Sequence, residues 1–393
     1  MSALEGLRIL DLTQYEAGPS CSQALAWLGA DVVKIERPGT GDPGRGIMGD
    51  SSEYFLMWNS NKKSVTLALE TPAGRETLLK MLPNYDVIME NYGPGVAEKL
   101  NIDYDAIKAI HPEIIYASVK GFGSDGPYAD YKCFDMVAQA AAGAFSITGE
   151  ADGPPMRPGP TMGDAGTGTQ LAISILAAYV QKVRTGKGQR IELSMQEAMT
   201  YYLRTAVSQS AGGQKVAPRT GNGDLPTMSL YPCSPGGPND YVYIMAVTPP
   251  MWRALCGAIG KPEFVSDPRF EHQQQRLENR DLLRGEIEAW TLRRDKHEAM
   301  RLLAEAGVPA SAIMDTVDLF KDKHLNARGF VKTIEHETLG EVRILGWPAR
   351  LSESEVEITA AVLLGKHTEE VVAQDLGLSE AEVADLKQKG AFG

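Results

Sequence analysis

Apolar positions along the chain come in short runs separated by longer mixed stretches, a pattern that predicts strands alternating with helices. Leu7-Arg8-Ile9-Leu10-Asp11-Leu12 is a short apolar run and predicts a strand. Residues 13–19 predict a loop containing Ala17-Gly18-Pro19, and residues 20–28 predict a helix closed by Gly29. Asp31-Val32-Val33-Lys34-Ile35-Glu36 follows as a second strand. A strand–helix–strand unit this short places its strands parallel and points to an α/β core. Further strands are expected at 64–69, 86–91, 114–119 and 190–194. Helices are expected at 72–81, 136–142, 169–183 and 196–207.

Near residue 210 the pattern changes. Gly212-Gly213, Gly221-Asn222-Gly223 and Pro235-Gly236-Gly237-Pro238 mark loops. Tyr241 to Val247 form an aromatic-rich strand pattern, and helices are expected at 250–259, 277–290 and 296–306. The expected organisation is a large α/β domain beginning with residues 1–204, a smaller α+β domain over 205–325, and a segment over 326–393 returning to the large domain.

The chain has 393 residues, 43% hydrophobic and 23% charged, as in a soluble globular protein of two or three domains. A net charge of −12 argues against general nucleic-acid binding, which needs a basic face. It leaves room for an anionic ligand held by local groups. Cys21, Cys133, Cys233 and Cys256 form no CxxC pair and no zinc-spaced cluster, so no metal is expected. No signal-peptide pattern and no run long enough to span a membrane is evident, and a cytoplasmic location is expected. The loop after the first strand lacks GxGxxG, which argues against a dinucleotide site even though Glu36 ends the second strand.

One stretch raises a chemical question. Asp164 lies in Gly163-Asp164-Ala165-Gly166-Thr167-Gly168, just before a long apolar run. Taken alone, such an aspartate reads as a helix N-cap. Its wider context matters. The stretches "AGPSCSQALAWLGADVVKIERPG", "NSNKKSVTLAL", "ENYGPG", "KGFGSDGPY", "FDMVAQAAAG", "GPPMRPGPTMGD", "RTGKGQRIELSMQEA" and "LLGKHTEEV" occur in this order. Together they resemble the class III CoA-transferases, the family that includes formyl-CoA:oxalate and carnitine CoA-transferases. The resemblance covers nearly the whole chain. It implies a Rossmann-like large domain built from both chain ends, a smaller domain, and a homodimer of interlocked rings. A heteromer with a related subunit is the other arrangement it allows.

The resemblance places Asp164 on the family's catalytic aspartate. A carboxylate there attacks an acyl-CoA thioester, giving a mixed anhydride and then an aspartyl-CoA thioester. CoA is substrate, and no other cofactor is implied. Asp135 matches an acidic position beside the nucleophile. Glu16 stands where the oxalate enzymes carry glutamine next to the thioester. Arg37, Asn91, Tyr92 and Lys132 match CoA-contacting positions, as do Ala17, Leu67, Lys99 and Phe134. Glu70 departs from the pattern, which has a basic residue shortly after Leu67.

The resemblance leaves other readings open. Related α-methylacyl-CoA racemases move an α-proton with a His-Asp pair, but Phe134-Asp135 stands here. A non-catalytic acyl-CoA-binding subunit of a heteromeric transferase would not need Asp164. The segment Arg219 to Pro226 is shorter than the glycine-rich lid of the oxalate enzymes, which makes oxalate a less expected acceptor. Succinate-like, carnitine-like and aromatic acids remain open.

Overall fold

The computed structural model describes residues 2–393. It divides into two units. The large one combines the chain up to Ala144 with Arg157–Lys215 and Arg328–Gly393, and the small one combines Phe145–Met156 with Val216–Ala327.

In the large unit the chain runs through β1 (Arg8–Asp11), α1 (Ala17–Trp27), β2 (Asp31–Glu36), α2 (Glu53–Asn59), β3 (Lys63–Thr66) and α3 (Pro72–Met81). It continues through β4 (Val87–Glu90), α4 (Val96–Lys99), α5 (Tyr104–Ile110), β5 (Ile115–Lys120) and α6 (Asp135–Ala141). Then come α7 (Thr167–Thr185), β6 (Arg190–Ser194), α8 (Met195–Tyr202) and α9 (Arg204–Ser208). Six parallel strands form one sheet in the order β3-β2-β1-β4-β5-β6. This is the Rossmann order, and its direction reverses between β1 and β4.

Alternation along the strands buries both faces of this sheet. Leu10, Val33, Val65 and Ile88 enter one core. Ile9, Val32, Val87 and Ile115 enter the other, packed by Leu25 of α1 and by Leu171 and Ile175 of α7. Helices α1 and α7 approach closely at Gly168. A side chain there would collide with the Ser20 hydroxyl and lie 2.6 Å from the Ala17 carbonyl oxygen.

The small unit holds β7 (Met228–Pro232), β8 (Tyr241–Met245), α10 (Pro249–Ala258), α11 (Gln273–Glu278), α12 (Arg280–Thr291), α13 (Lys296–Glu305), β9 (Ala310–Ala312), α14 (Thr316–Lys321) and α15 (Lys323–Ala327). Its antiparallel sheet runs β7-β8-β9 around a core that includes Tyr231, Trp252, Phe270 and Ile287. The chain then returns to the large unit. A hairpin of β10 (Val331–His336) and β11 (Gly340–Leu345) precedes α16 (Thr368–Leu376) and α17 (Glu380–Gln388). Val371, Val372 and Val383 of these last helices close the first core.

Three expectations need correction. The expected strand at 64–69 ends at Thr66, because Leu69 N–H turns back to the Leu67 carbonyl. The expected helix at 196–207 breaks at Leu203, where the backbone leaves helical geometry. Asp164 is not an N-cap. It lies inside a single π-helical turn, Met162–Gly166, which runs directly into α7.

Candidate active site

The loop joining β1 to α1 emerges at the point where strand order reverses. Its backbone polar groups are met by side chains from three parts of the unit. Asp11 accepts from Thr13 N–H at 2.9 Å, and the Lys34 ammonium donates to the Thr13 carbonyl at 2.7 Å. Asn91, just past β4, accepts from Gln14 N–H and donates to the Gln14 carbonyl, both at 2.8 Å. Asp42 accepts from Tyr15 N–H at 3.0 Å. Tyr15 has φ +62°, a left-handed conformation unfavourable for a residue with a side chain. The next residue is Glu16, which immediately precedes α1.

Below this loop lies a buried set of ion pairs. Lys62 contacts Asp11 at 3.0 Å, Lys34 contacts Asp42 at 2.8 Å, and Arg45 forks onto Glu36 at 2.7 and 2.8 Å. Burial works against the Asp11 charge, but Lys62, Lys34 and two hydroxyls hold its carboxyl well below the usual range. Burial, together with neighbouring Lys34, lowers Lys62 to about 8. Such groups stay charged inside a protein only because each has partners.

Three acids from separate elements meet above the loop. Glu16 is buried, and it accepts hydrogen bonds from the Thr161 hydroxyl and, at 3.4 Å, from the Tyr54 hydroxyl. Asp135, at the start of α6, is also buried. It accepts from Gln139 on both oxygens at 2.9 and 3.0 Å and from Asp164 N–H at 3.2 Å. The Asp164 carboxylate is partly exposed, and among the described residues no donor is hydrogen-bonded to it. Burial raises Asp164 to about 7, with help from the charges of Glu16 and Asp135. Burial also raises Glu16; Asp135 adds to the shift while Thr161 and Tyr54 oppose it. The backbone at Gly163 permits this convergence, since a Cβ there would lie 2.5 Å from the Asp135 carbonyl oxygen.

A cleft of about 170 Å³ opens beside this loop, at the carboxyl ends of the strands. Its walls include Gln14, Arg37, Leu67, Glu70 and Tyr92. In open α/β sheets this is the usual place for a ligand. Arg37 is exposed, with Glu70 3.4 Å away.

The family model for CoA-transferase family III matches residues 4–368. The chain belongs to this family. The transferase is 41% identical over 411 aligned residues to a formyl-CoA:oxalate CoA-transferase of Streptomyces avermitilis, with 99% of each chain covered. It is 39% identical to a formyl-CoA:oxalate CoA-transferase of a Bradyrhizobium strain, covering 99% of this chain and 97% of the relative. Among solved structures, a CaiB/BaiF family protein from Brucella suis superposes with a TM-score of 0.85 at 31% identity, covering 95% of the transferase and 99% of that protein. A Mycobacterium tuberculosis protein gives 0.81 at 27% identity, covering 93% and 98%. The six-stranded parallel sheet and small antiparallel sheets of the transferase thus match the fold of a solved CaiB/BaiF family protein.

Within the transferase, the residues singled out in the sequence fall into groups. Glu16, Asp135 and Asp164 come together. Arg37, Leu67 and Tyr92 line the cleft. Ala17 is buried at the start of α1 beside Gly168. Phe134 precedes α6, is 62% exposed, and meets the Tyr15 ring edge-on at 5.8 Å. Lys99 and Lys132 are exposed and lie outside the cleft walls. Asn91 is turned to Gln14. The sequence reading missed Tyr54, Thr161 and Gln139. Tyr54 and Thr161 share no motif with Glu16 and meet it only in three dimensions, whereas Gln139 lies one helical turn after Asp135 in the same stretch.

Proposed function

We propose that this transferase moves CoA from an acyl-CoA donor to a carboxylic acid acceptor through covalent intermediates on Asp164. The carrying observation is the Asp164 carboxylate itself, which has no hydrogen-bond donor among the described residues and titrates near neutrality. An ionised Asp164 oxygen attacks the thioester carbonyl, the C–S bond breaks, and CoA leaves as thiolate. The thiolate then attacks the Asp164 carbonyl carbon of the mixed anhydride, releasing the donor carboxylate and leaving an aspartyl-CoA thioester. The acceptor carboxylate attacks that thioester, forming a second anhydride and freeing CoA thiolate. Attack of the thiolate on the acceptor's acyl carbon yields the new acyl-CoA and regenerates Asp164. Each step exchanges one acyl bond for another, which conserves the thioester energy.

The other residues take supporting roles in this reading. Asp135 fixes the backbone of the nucleophile through Asp164 N–H, and Gln139 holds Asp135. Glu16, held by Thr161 and Tyr54, faces the acyl group. Arg37 suits a phosphate of CoA, because its planar fork pairs with phosphate oxygens. Leu67 and Tyr92 supply apolar wall, Lys99 and Lys132 add flanking charge, and Ala17 and Phe134 border the thioester end. Phe134 carries no proton-transferring group, so racemase chemistry finds no support here. The resemblance implies a homodimer of interlocked rings, and exposed Ile173, Val180 and Val183 along α7 are apolar side chains that a partner subunit would cover. Light scattering in solution checks the dimer.

The reaction is tested by mixing the protein with acyl-CoA and trapping the adduct. Mass spectrometry is expected to place it on the peptide bearing Asp164. Asp164→Asn and Asp164→Ala are expected to abolish transfer while folding persists. An active Asp164→Ala variant overturns the mechanism.

A further inference from the structure

We propose that Asn91 is a positioning residue that holds Glu16 against Asp164, in place of the CoA contact that the resemblance assigns to its side chain. The inference rests on the reaction proposed above. It begins with the side-chain amide. Its carbonyl oxygen and its NH2 group are both engaged by one residue, Gln14, through two bonds of 2.8 Å. An amide oxygen and nitrogen facing a single backbone residue form a closed ring of hydrogen bonds that fixes the amide's orientation, with one N–H and one oxygen lone pair left over.

The place of this ring in the fold gives it leverage. Gln14 leaves the end of β1, and Asn91 leaves the end of β4. These strands are neighbours, and strand order reverses between them. The two loops therefore diverge here, and the Asn91 ring ties them across the divergence. Two residues beyond Gln14 is Glu16. Between them Tyr15 takes a left-handed backbone that persists only where its surroundings enforce it. Asp42 holds Tyr15 N–H on one side, and Asn91 holds Gln14 on the other. Without the Asn91 ring, Tyr15 is held from the Asp42 side alone, and Glu16 can shift with it. Gln14 and Tyr92 line the cleft, and Asn91 lies outside its walls.

The charged and titratable groups facing Asp164 are Glu16, Asp135, Tyr54 and Cys133. Only Glu16 is carried by the loop that Asn91 holds. Displacing Glu16 removes one like charge from Asp164, which then ionises at lower pH. A mere loss of stability has no such effect.

The experiment compares the full-length protein with Asn91→Ala and Asn91→Asp, measuring kcat, KM for acyl-CoA and the pH profile of kcat/KM. Asn91→Asp keeps the acceptor for Gln14 N–H and loses the donor to the Gln14 carbonyl. Asn91→Ala is expected to lower kcat by tenfold or more, leave KM within about twofold, and move the acid limb to lower pH. Asn91→Asp is expected to fall between it and wild type, and it carries the test if Asn91→Ala does not fold. In a Glu16→Gln background the shift of the acid limb on adding Asn91→Ala is expected to vanish. A raised KM with unchanged kcat and acid limb returns Asn91 to a CoA contact and overturns the proposal, as does wild-type behaviour. Failure of the covalent mechanism is read separately, from activity in Asp164→Asn.

Discussion

Arg37 Nη2 lies 3.4 Å from Glu70 Oε1, on the rim of the cleft at the carboxyl ends of the strands. Arg37, the one cation among the residues lining the cleft, is thus paired with an acid that stands out of the family's pattern. Arg75 braces the same loop by donating to the Leu69 and Glu70 carbonyls at 3.2 and 3.3 Å. A phosphate must compete with Glu70 for Arg37. Exposed pairs of this kind are worth roughly 0.2–1 kcal/mol. Glu70→Gln is therefore expected to lower KM for acyl-CoA by roughly 1.5–5-fold, with kcat unchanged. Arg37→Ala is expected to raise KM by an amount equivalent to about 1.5–3 kcal/mol, the usual worth of a charge-assisted contact. Initial rates against acyl-CoA concentration check both, and an unchanged KM in Arg37→Ala returns that residue to the solvated surface.

Burial first, and then the neighbouring acids, set the pH dependence expected of Asp164. In the proposed mechanism Asp164 is ionised when it attacks, and burial raises its pKa to about 7. The acid limb of kcat/KM reports this group, with activity lost as pH falls through it. Glu16→Gln removes one like charge while preserving size, so the limb is expected to move to lower pH. A limb that stays in place means the Glu16 charge does not reach Asp164. Measuring the profile with a monocarboxylate and a dicarboxylate acceptor separates this effect from selection of the acid by charge.

The same raised pKa has a consequence for stability. The folded protein binds a proton on Asp164 up to about pH 7, while an unfolded aspartate releases it near 4. The raised value therefore favours folding below pH 4, and this advantage is lost as pH rises through 7. At pH 8 an ionised Asp164 costs stability, roughly 4 kcal/mol at full strength and about 2 kcal/mol with partial solvent access. Asp164→Asn is expected to raise the Tm at pH 8 and to change it little at pH 4. Calorimetry at the two pH values checks this, and equal Tm differences at both contradict it.

Gly163 offers a steric test. Gly163→Ala places a methyl group 2.5 Å from the Asp135 carbonyl oxygen, closer than packed carbon and oxygen tolerate. The variant is expected to fold with a displaced π turn and to lose most transfer activity. A soluble variant with full kcat means that the turn has room to adjust.

The periodic parts of the chain were legible in advance. The strand at 31–36, the helix at 72–81 and the strand at 190–194 stand where apolar spacing put them, because each pattern meets a core that wants that period. Asp164 shows the limit. Spacing makes it an N-cap, since Asp before an apolar run commonly is one. The structure inserts a π turn there, and the Asp164 side chain caps nothing. The clamp on the loop from Thr13 to Tyr15 was equally out of reach. Asp11, Lys34, Asp42 and Asn91 are scattered over 80 residues, and only the parallel register of β1, β2 and β4 brings them to one loop. The pairing of Arg37 with Glu70 was half legible: the sequence showed an acid out of pattern but not its partner.

Helices α1 and α7 touch at Gly168 without room for a methyl group. One of them begins with Ala17, just after Glu16, and the other begins three residues after Asp164. Backbone resting on backbone therefore sets the spacing of the two helix starts, and no rotamer change can alter it. A descendant of this protein cannot accept a bulkier acid by sliding the helices apart. It must carve the space from side chains such as Tyr54, Thr161 and Phe134, so the spacing of the helix starts is inherited while the shape around the acids is free to diverge.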